Sequence, residues 1–428
     1  MSDTATLDQY LRDTRSDFLG RNSEDAWVVV MGNEAGDLDS LASSIAYAYF
    51  ASVTTTPPRK FVPLQLTPRA DLSLRPENLA SLSDASIELG SLLTIDDLPS
   101  PPSTNNIEFV LVDHNSLLPM FADADKDDAD SDRVIAVIDH HVDEHQHEYA
   151  RPRVIEPTGS CASLVTTHFL ASNTTTFGPD NTPAVRQLAN LLLDAILIDT
   201  RLKPSSKGGK TTDTDTKAVT LLRAQLDPNS ESNSLNVESL QEELSSRADR
   251  LLQLKENVQG MNSRDLLRRD YKQYVATDAA GRLVKYGLST VPLGLEVWLM
   301  DETFERGHQI EGLVREVERW MDERGLALAG VLTSYTHVKH KTGDSKHRRE
   351  LLVVTRDARF DDVLDALNRQ ESLDLRTWKG IDDFGGIDHG RVQGEANMQW
   401  KVWQQHNTKA TRKQVAPIVK DLVEGALQ

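Results

Sequence analysis

The chain has 428 residues, 39% of them hydrophobic, which is too long for one ordinary core and apolar enough to fill two. Its 47 lysines and arginines stand against 66 aspartates and glutamates, a formal charge of -19 at pH 7, so the overall field repels polyanions and argues against nucleic-acid or anionic-membrane partners. The single cysteine, Cys161, excludes an internal disulfide and a cysteine zinc framework, no stretch approaches the roughly 20 apolar residues of a membrane span, and residues 1–21 lack the pattern of a secretory or transit leader, so a cytoplasmic protein is expected.

In chain order, the first apolar run is Trp27-Val28-Val29-Val30-Met31, followed by the turn Gly32-Asn33-Glu34-Ala35-Gly36-Asp37-Leu38-Asp39-Ser40 and an alanine-rich returning helix over residues 41–50. Further apolar runs cover residues 60–64, 109–112, 134–138 and 191–198. Runs without polar alternation suit strands buried on both faces, so a parallel sheet with helices on both faces is expected, and residues 160–171 read as another of those helices. Residues 99–103 form a proline-rich loop. Residues 123–132 hold six Asp and one Lys and read as a solvated excursion, since the regular alternation of a calcium loop is missing. Residues 205–215 and 227–236 are polar loops, and the charged helical stretch over 237–261 marks the expected hinge, giving domains over 1–235 and 236–428. In the second, strands are predicted over 283–291, 326–334 and 350–355 and helices over 304–324 and 361–369, a smaller mixed α/β domain. Residues 339–349 carry five Lys or Arg against one Asp, which suits either a solvated hairpin tip or an electropositive lane for an anionic chain.

Acidic and histidine residues close the apolar runs: Asp37 and Asp39 after the first, Val112-Asp113-His114-Asn115, Ile138-Asp139-His140-His141 and Leu197-Ile198-Asp199-Thr200. In an open parallel sheet the carboxyl ends of successive strands lie on one edge, so these side chains can converge on one crevice, as a two-cation site requires. The bland alternative is a set of unrelated helix caps. Adjacent histidines diverge at a strand end, so one can bind metal while the next faces a substrate. His145 and His147 read as solvated.

The Asp139-His140-His141 motif, with Gly-Asn-Glu-x-x-Asp-x-Asp-Ser upstream, Gly159-Ser160-Cys161-Ala162-Ser163 and the downstream Ile-Asp-Thr, resembles the DHH phosphoesterase superfamily. Leu266-Leu267-Arg268-Arg269-Asp270-Tyr271-Lys272 and Asn407-Thr408-Lys409-Ala410-Thr411-Arg412-Lys413-Gln414-Val415-Ala416-Pro417 are similar to the two basic signatures of its DHHA2 branch, and the likeness extends over nearly the full length. Gly385-Gly386-Ile387-Asp388-His389-Gly390 is a weaker match to the glycine-rich loop of the other branch. Within the superfamily the chain most resembles the fungal cytosolic exopolyphosphatases, with the class II manganese-dependent pyrophosphatases and the prune proteins as relatives.

That resemblance implies an active site in the cleft between an N-terminal parallel-sheet DHH domain and a smaller mixed α/β DHHA2 domain. It implies two divalent cations, Mg2+ or Mn2+, one on Asp37 and Asp113 and the other on Asp39, Asp113, His140 and Asp199, acting by two-metal activation of water on the terminal phosphoanhydride of inorganic polyphosphate. Lys272, Arg412, Lys413 and His141 would hold the phosphates, with His141 the proton or hydrogen-bond donor. Asp139 would orient a histidine. Where the pyrophosphatase pattern has His this chain has Asn33, which either binds the first cation, making the site more tolerant of magnesium, or supports the ligands from outside. Pyrophosphate hydrolysis, a prune-like short-chain or nucleotide phosphodiesterase activity, and a non-catalytic interaction protein on the same fold are the alternatives. A monomer is the starting expectation.

Overall fold

The computed structural model describes residues 6–99, 102, 106–122, 133–171, 182–227, 237–301, 303–338, 345–380, 383–384, 388–391 and 398–428. The first of two compact units, Met1–Asn257, runs α1 (Leu7–Leu19), β1 (Trp27–Met31), α2 (Leu38–Thr54), β2 (Phe61–Gln65), α3 (Pro76–Asp84), β3 (Leu93–Thr94), β4 (Ile107–Val112), β5 (Val134–Asp139), β6 (Arg153–Ile155), α4 (Cys161–Leu170), α5 (Pro183–Thr200), α6 (Asp213–Leu226) and α7 (Val237–Glu256). Leu244, Ala248 and Leu251 of α7 bury in the core of this unit.

All six strands are parallel, in the order β3-β2-β1-β4-β5-β6. The chain winds outward from β1 to β3 and then restarts at β4 on the opposite side of β1. At that reversal the connections leave the carboxyl ends of β1 and β4 in opposite directions, which opens a crevice between them. Side chains alternate along β1, so Val28 and Val30 join one apolar cluster while Trp27, Val29 and Met31 join another.

The apolar residues of α2, α4 and α5 gather with Val28 and Val30, and the opposite face is covered by Phe18 at the end of α1 together with Leu98, Phe121 and Ala150. One sequence expectation changes here, the strand over residues 191–198. That run is not a strand but the centre of α5, started by a Thr182 cap and a first-turn proline. Every residue of that run is buried, so it lacks the polar stripe that marks a surface helix, and a short apolar run alone does not separate helix from strand. Asp199 therefore sits in the last turn of a helix.

The second unit, Val258–Gln428, runs α8 (Ser263–Arg269), β7 (Tyr271–Thr277), β8 (Leu283–Val291), α9 (Leu295–Leu299), α10 (Gln309–Arg324), β9 (Leu328–Thr333), β10 (Tyr335–Val338), β11 (Ser345–Thr355), α11 (Asp361–Asn368), β12 (Leu375–Thr377), β13 (His389–Arg391), β14 (Gln399–Gln405) and α12 (Arg412–Leu427). Its sheet has the order β12-β14-β11-β9-β8-β7, with β10 on β11 and β13 on β14, and it is mixed because β8 and β9 are parallel. Along β11, Leu352 and Val354 face α10, and Leu351 and Val353 face α11 and α12. Residues 123–132, 228–236, 339–344 and 385–387 lie outside the described residues. The basic residues Lys346, Arg348 and Arg349 belong to the start of β11.

Asp97 fastens α1 to the rim of the first sheet. Its carboxylate accepts from Arg15 at 3.0 and 3.2 Å, Arg69 at 2.7 Å and the Thr94 amide at 3.0 Å. Burial works to raise its pKa, but these donors hold it at about 2. Because the folded value is depressed, the stabilisation is complete above about pH 4 and is lost as the pH falls towards 2. Asp97→Asn is expected to lower the unfolding free energy by about 1–2 kcal/mol at neutral pH and by little near pH 2. Denaturant titrations that show equal loss at both would contradict a charge-dependent clamp.

Candidate active site

The turn after β1 is built to bring polar groups against α2. A Cβ at Gly32 would lie 2.5 Å from Ser40 Cβ and 2.9 Å from Ser40 O, so only glycine lets the strand end this close to the helix. Gly36 has φ +56, and the turn is held from outside by Asn78 Nδ2 donating to Gly36 O at 2.9 Å and by Arg75 donating to Ala35 O. Asp37 caps α2, accepting from the Ser40 amide at 3.0 Å. Asp39, in the first turn of α2, is buried and reaches across to α4.

Asp113 ends β4 in the left-handed region, φ 61, a conformation that costs a non-glycine residue about 1 kcal/mol or more and persists only where the surroundings impose it. Its Oδ2 accepts from Ser40 Oγ at 2.6 Å and Asn33 Nδ2 at 2.7 Å. Its Oδ1 is buried and has no hydrogen-bond partner among the described residues, 3.3 Å from His140 Nε2 and 3.6 Å from His141 Nδ1. The Asn33 oxygen accepts from the Ala35 amide at 2.9 Å, so both ends of this amide are engaged in fixing Asp113 and the turn.

At the end of β5, Asp139 is fully buried and organises both histidines. Its Oδ1 accepts from the His140 and His141 amides at 2.7 and 3.1 Å and lies 2.7 Å from His141 Nδ1, while Oδ2 accepts from Asn115 Nδ2 at 2.5 Å. Burial opposes its ionisation, yet the His141 contact and these donors hold the carboxyl well below the usual carboxylate range. The two imidazole planes lie 77° apart. His140 Nδ1 is 3.1 Å from Thr158 O, which can only accept, so Nδ1 carries a proton and Nε2 is the ring nitrogen that faces Asp113 Oδ1.

When Nε2 is unprotonated, its lone pair and the carboxylate oxygen 3.3 Å away repel unless positive charge lies between them. The buried, unpartnered Asp113 oxygen is therefore the feature that fits a cation, and carboxylate plus imidazole suits a divalent one. Asp113, His140 and His141 offer ligand atoms within 4.8 Å of one another. Asp39 Oδ2 is 3.9 Å from His140 Nε2, but its oxygens also accept from the Cys161 and Ala162 amides, each at 2.7 Å, and from Ser160 Oγ at 2.8 Å, at the amino terminus of α4. Burial, together with the charges of Asp113, Asp199 and Asp37, pushes the Asp39 carboxyl well above the usual range, with His140 opposing. Asp37 and Asp199 thus lie within electrostatic reach of the cluster without belonging to its tightest triad.

Some supporting residues escaped the sequence reading. Asn115 fixes Asp139, Ser40 fixes Asp113, and Asp215 accepts from Gly159 N at 3.0 Å, Ser163 Oγ at 2.6 Å and Thr212 N at 2.7 Å, holding the loop whose Thr158 carbonyl orients His140. Only Asp215 leaves a local signal, the Thr212-to-Asp215 capping box of α6. Of the cations expected to hold phosphate, Arg412 opens α12 and donates to Asp270 O at 2.7 Å and Asp270 Oδ1 at 2.8 Å. Asp270 precedes β7, which carries Lys272, so Arg412 is tied to the start of that strand. Lys413 follows Arg412 in the first turn of α12.

The model of the DHH family, N-terminal domain, matches residues 27–196, and the model of the DHHA2 domain matches 249–422. A Schizosaccharomyces pombe protein named "Putative exopolyphosphatase" is 30% identical over 411 residues, 94% of this chain and 92% of the relative. Human "Exopolyphosphatase PRUNE1" is 30% identical over 275 residues, 63% of this chain, and the match spans 53% of that protein. A solved structure titled as a Methanococcus jannaschii putative family II inorganic pyrophosphatase shares the fold, with a TM-score of 0.50 and 22% identity over 93% of this chain and 99% of the other. The chain belongs to the DHH family, in the branch that carries a DHHA2 domain.

Proposed function

We propose that the protein is a metal-dependent exopolyphosphatase that hydrolyses the terminal phosphoanhydride bond of inorganic polyphosphate and releases orthophosphate. The observation that carries this reading is Asp113, clamped through one oxygen by Asn33 and Ser40 while the other, buried and without a hydrogen-bond partner among the described residues, faces His140 Nε2. The identity with the S. pombe relative supports it over 94% of the chain. Among the described residues no helix is long and apolar enough to cross a membrane, and a cytoplasmic setting goes with this reading.

In the proposed arrangement Asp37 and Asp113 hold one Mg2+ or Mn2+, and Asp39, Asp113, His140 and Asp199 hold a second. Asn33 acts through Asp113, the role its two hydrogen bonds favour over direct ligation. Two such cations supply Lewis-acid polarisation of phosphoryl oxygens and a more acidic water. Asp139 fixes the His141 ring through Nδ1, leaving Nε2 as the nitrogen directed at the substrate, where it donates a hydrogen bond or proton. Lys272, Arg412 and Lys413 balance phosphate charge, Arg412 with a planar fork and the lysines as point charges.

Asp113→Ala is expected to abolish both Mn2+ binding by calorimetry and phosphate release from triphosphate and long-chain polyphosphate. Release by wild type from pyrophosphate alone across a substrate panel would instead identify a pyrophosphatase. Asp139→Asn keeps the shape but replaces the acceptor of the His141 ring proton with an amide, so kcat should fall about 10- to 100-fold, with Mn2+ affinity changed less than catalysis. Arg412→Ala should raise KM for polyphosphate at least tenfold, the expected loss of a bidentate phosphate contact of about 1.5–3 kcal/mol, and an unchanged KM would remove Arg412 from the substrate site.

A further inference from the structure

Lys255, in the last turn of α7, plays no part in the reaction proposed above. A lysine there ordinarily balances the helix carboxyl terminus with its side chain in water. Here its Nζ lies 3.7 Å from Asp199 Oδ1, and the charges of Asp37 and Glu77 also act on the ammonium. Arg75, the nearby like charge, is itself paired with Glu77 at 3.3 Å. One fixed positive charge thus serves the two carboxylates assigned above to different cations. An ammonium in that position neutralises Asp37 and Asp199 when no metal is bound and repels a divalent ion that approaches them.

Resting on the metal-site reading of the preceding subsection, we propose that Lys255 is a positioning residue that sets the affinity of this carboxylate pocket for divalent cations, balancing Asp37 and Asp199 in the metal-free protein and weakening cation binding. The cations consequently bind less tightly than the count of carboxylates alone would give. This keeps them exchangeable.

The test is calorimetric titration of the full chain with Mn2+, comparing wild type, Lys255→Met, Lys255→Gln and Lys255→Arg, with Asp113→Ala as the control that loses the site. Removing the charge should lower the Mn2+ Kd about tenfold in the Met and Gln variants, and the Arg variant should stay near wild type. Thermal melting gives a second readout: the metal-free Met and Gln variants should melt below wild type, and the upward shift on saturating Mn2+ should be larger than in wild type. A purely structural lysine would lower both melting points alike and leave Kd unchanged, which would overturn the proposal, as would weaker Mn2+ binding in the neutral variants. Absence of Mn2+ binding by wild type would overturn the metal-site reading itself, whereas binding that Asp113→Ala abolishes and Lys255 variants do not alter would overturn only the role of Lys255.

Discussion

The site depends on an imbalance at one carboxylate. Asp113 is buried at the end of β4, with one oxygen fully engaged and the other, against a histidine nitrogen, without a hydrogen-bond partner among the described residues. The positive φ that carries it there is held by neighbours on three segments: Asn33 from the turn after β1, Ser40 from α2, and the Ile138 carbonyl, which accepts from the Asp113 amide at 3.0 Å. Strain and desolvation are thus localised where a cation can relieve them.

A buried carboxylate in the second unit shows the opposite solution. Glu350 on β11 accepts through Oε2 from the Leu295 amide at 2.7 Å and Thr333 Oγ1 at 3.1 Å, and through Oε1 from Tyr335 at 3.0 Å and Trp378 Nε1 at 2.9 Å. Burial still raises its pKa, but every oxygen has partners, and the group ties α9, β9, β10 and the residue after β12 to one sheet. A satisfied buried acid serves architecture. Asp113, half satisfied, is suited to binding.

The crowd of negative charge around Asp113 is tolerated because the fold brings oriented dipoles and fixed cations to it. Asp39 meets the amino terminus of α4, whose amides point outward with the positive end of the helix dipole. Asp139 meets three donors from its own turn and the Asn115 amide, and Asp199 meets Lys255. Each acid is compensated by a different device, so their environments differ although their residue type does not. Asp39 is pushed up while Asp139 is held down.

Residue order alone determined the parallel-sheet class of the first unit, the turn after β1, the strand ends that carry Asp113 and Asp139, and the meeting of Asp113 with His140 and His141. Those features are local: continuous apolar runs bury strands, and the residue that follows such a run emerges at the sheet edge. Residues 191–198 could not be assigned in this way, because a helix buried on all sides loses the polar face that its period would reveal. The packing of α7 was likewise hidden, since its charged sequence does not show that Leu244, Ala248 and Leu251 meet the core. Only the tertiary structure decided that Asn33 and Ser40 share one Asp113 oxygen, that Asp139 governs His141, that Asp215 steadies the loop behind His140, and that Lys255 lies against Asp199. Apart from the local Asp139–His141 pair, these contacts join residues dozens of positions apart through side-chain geometry, which no spacing rule encodes.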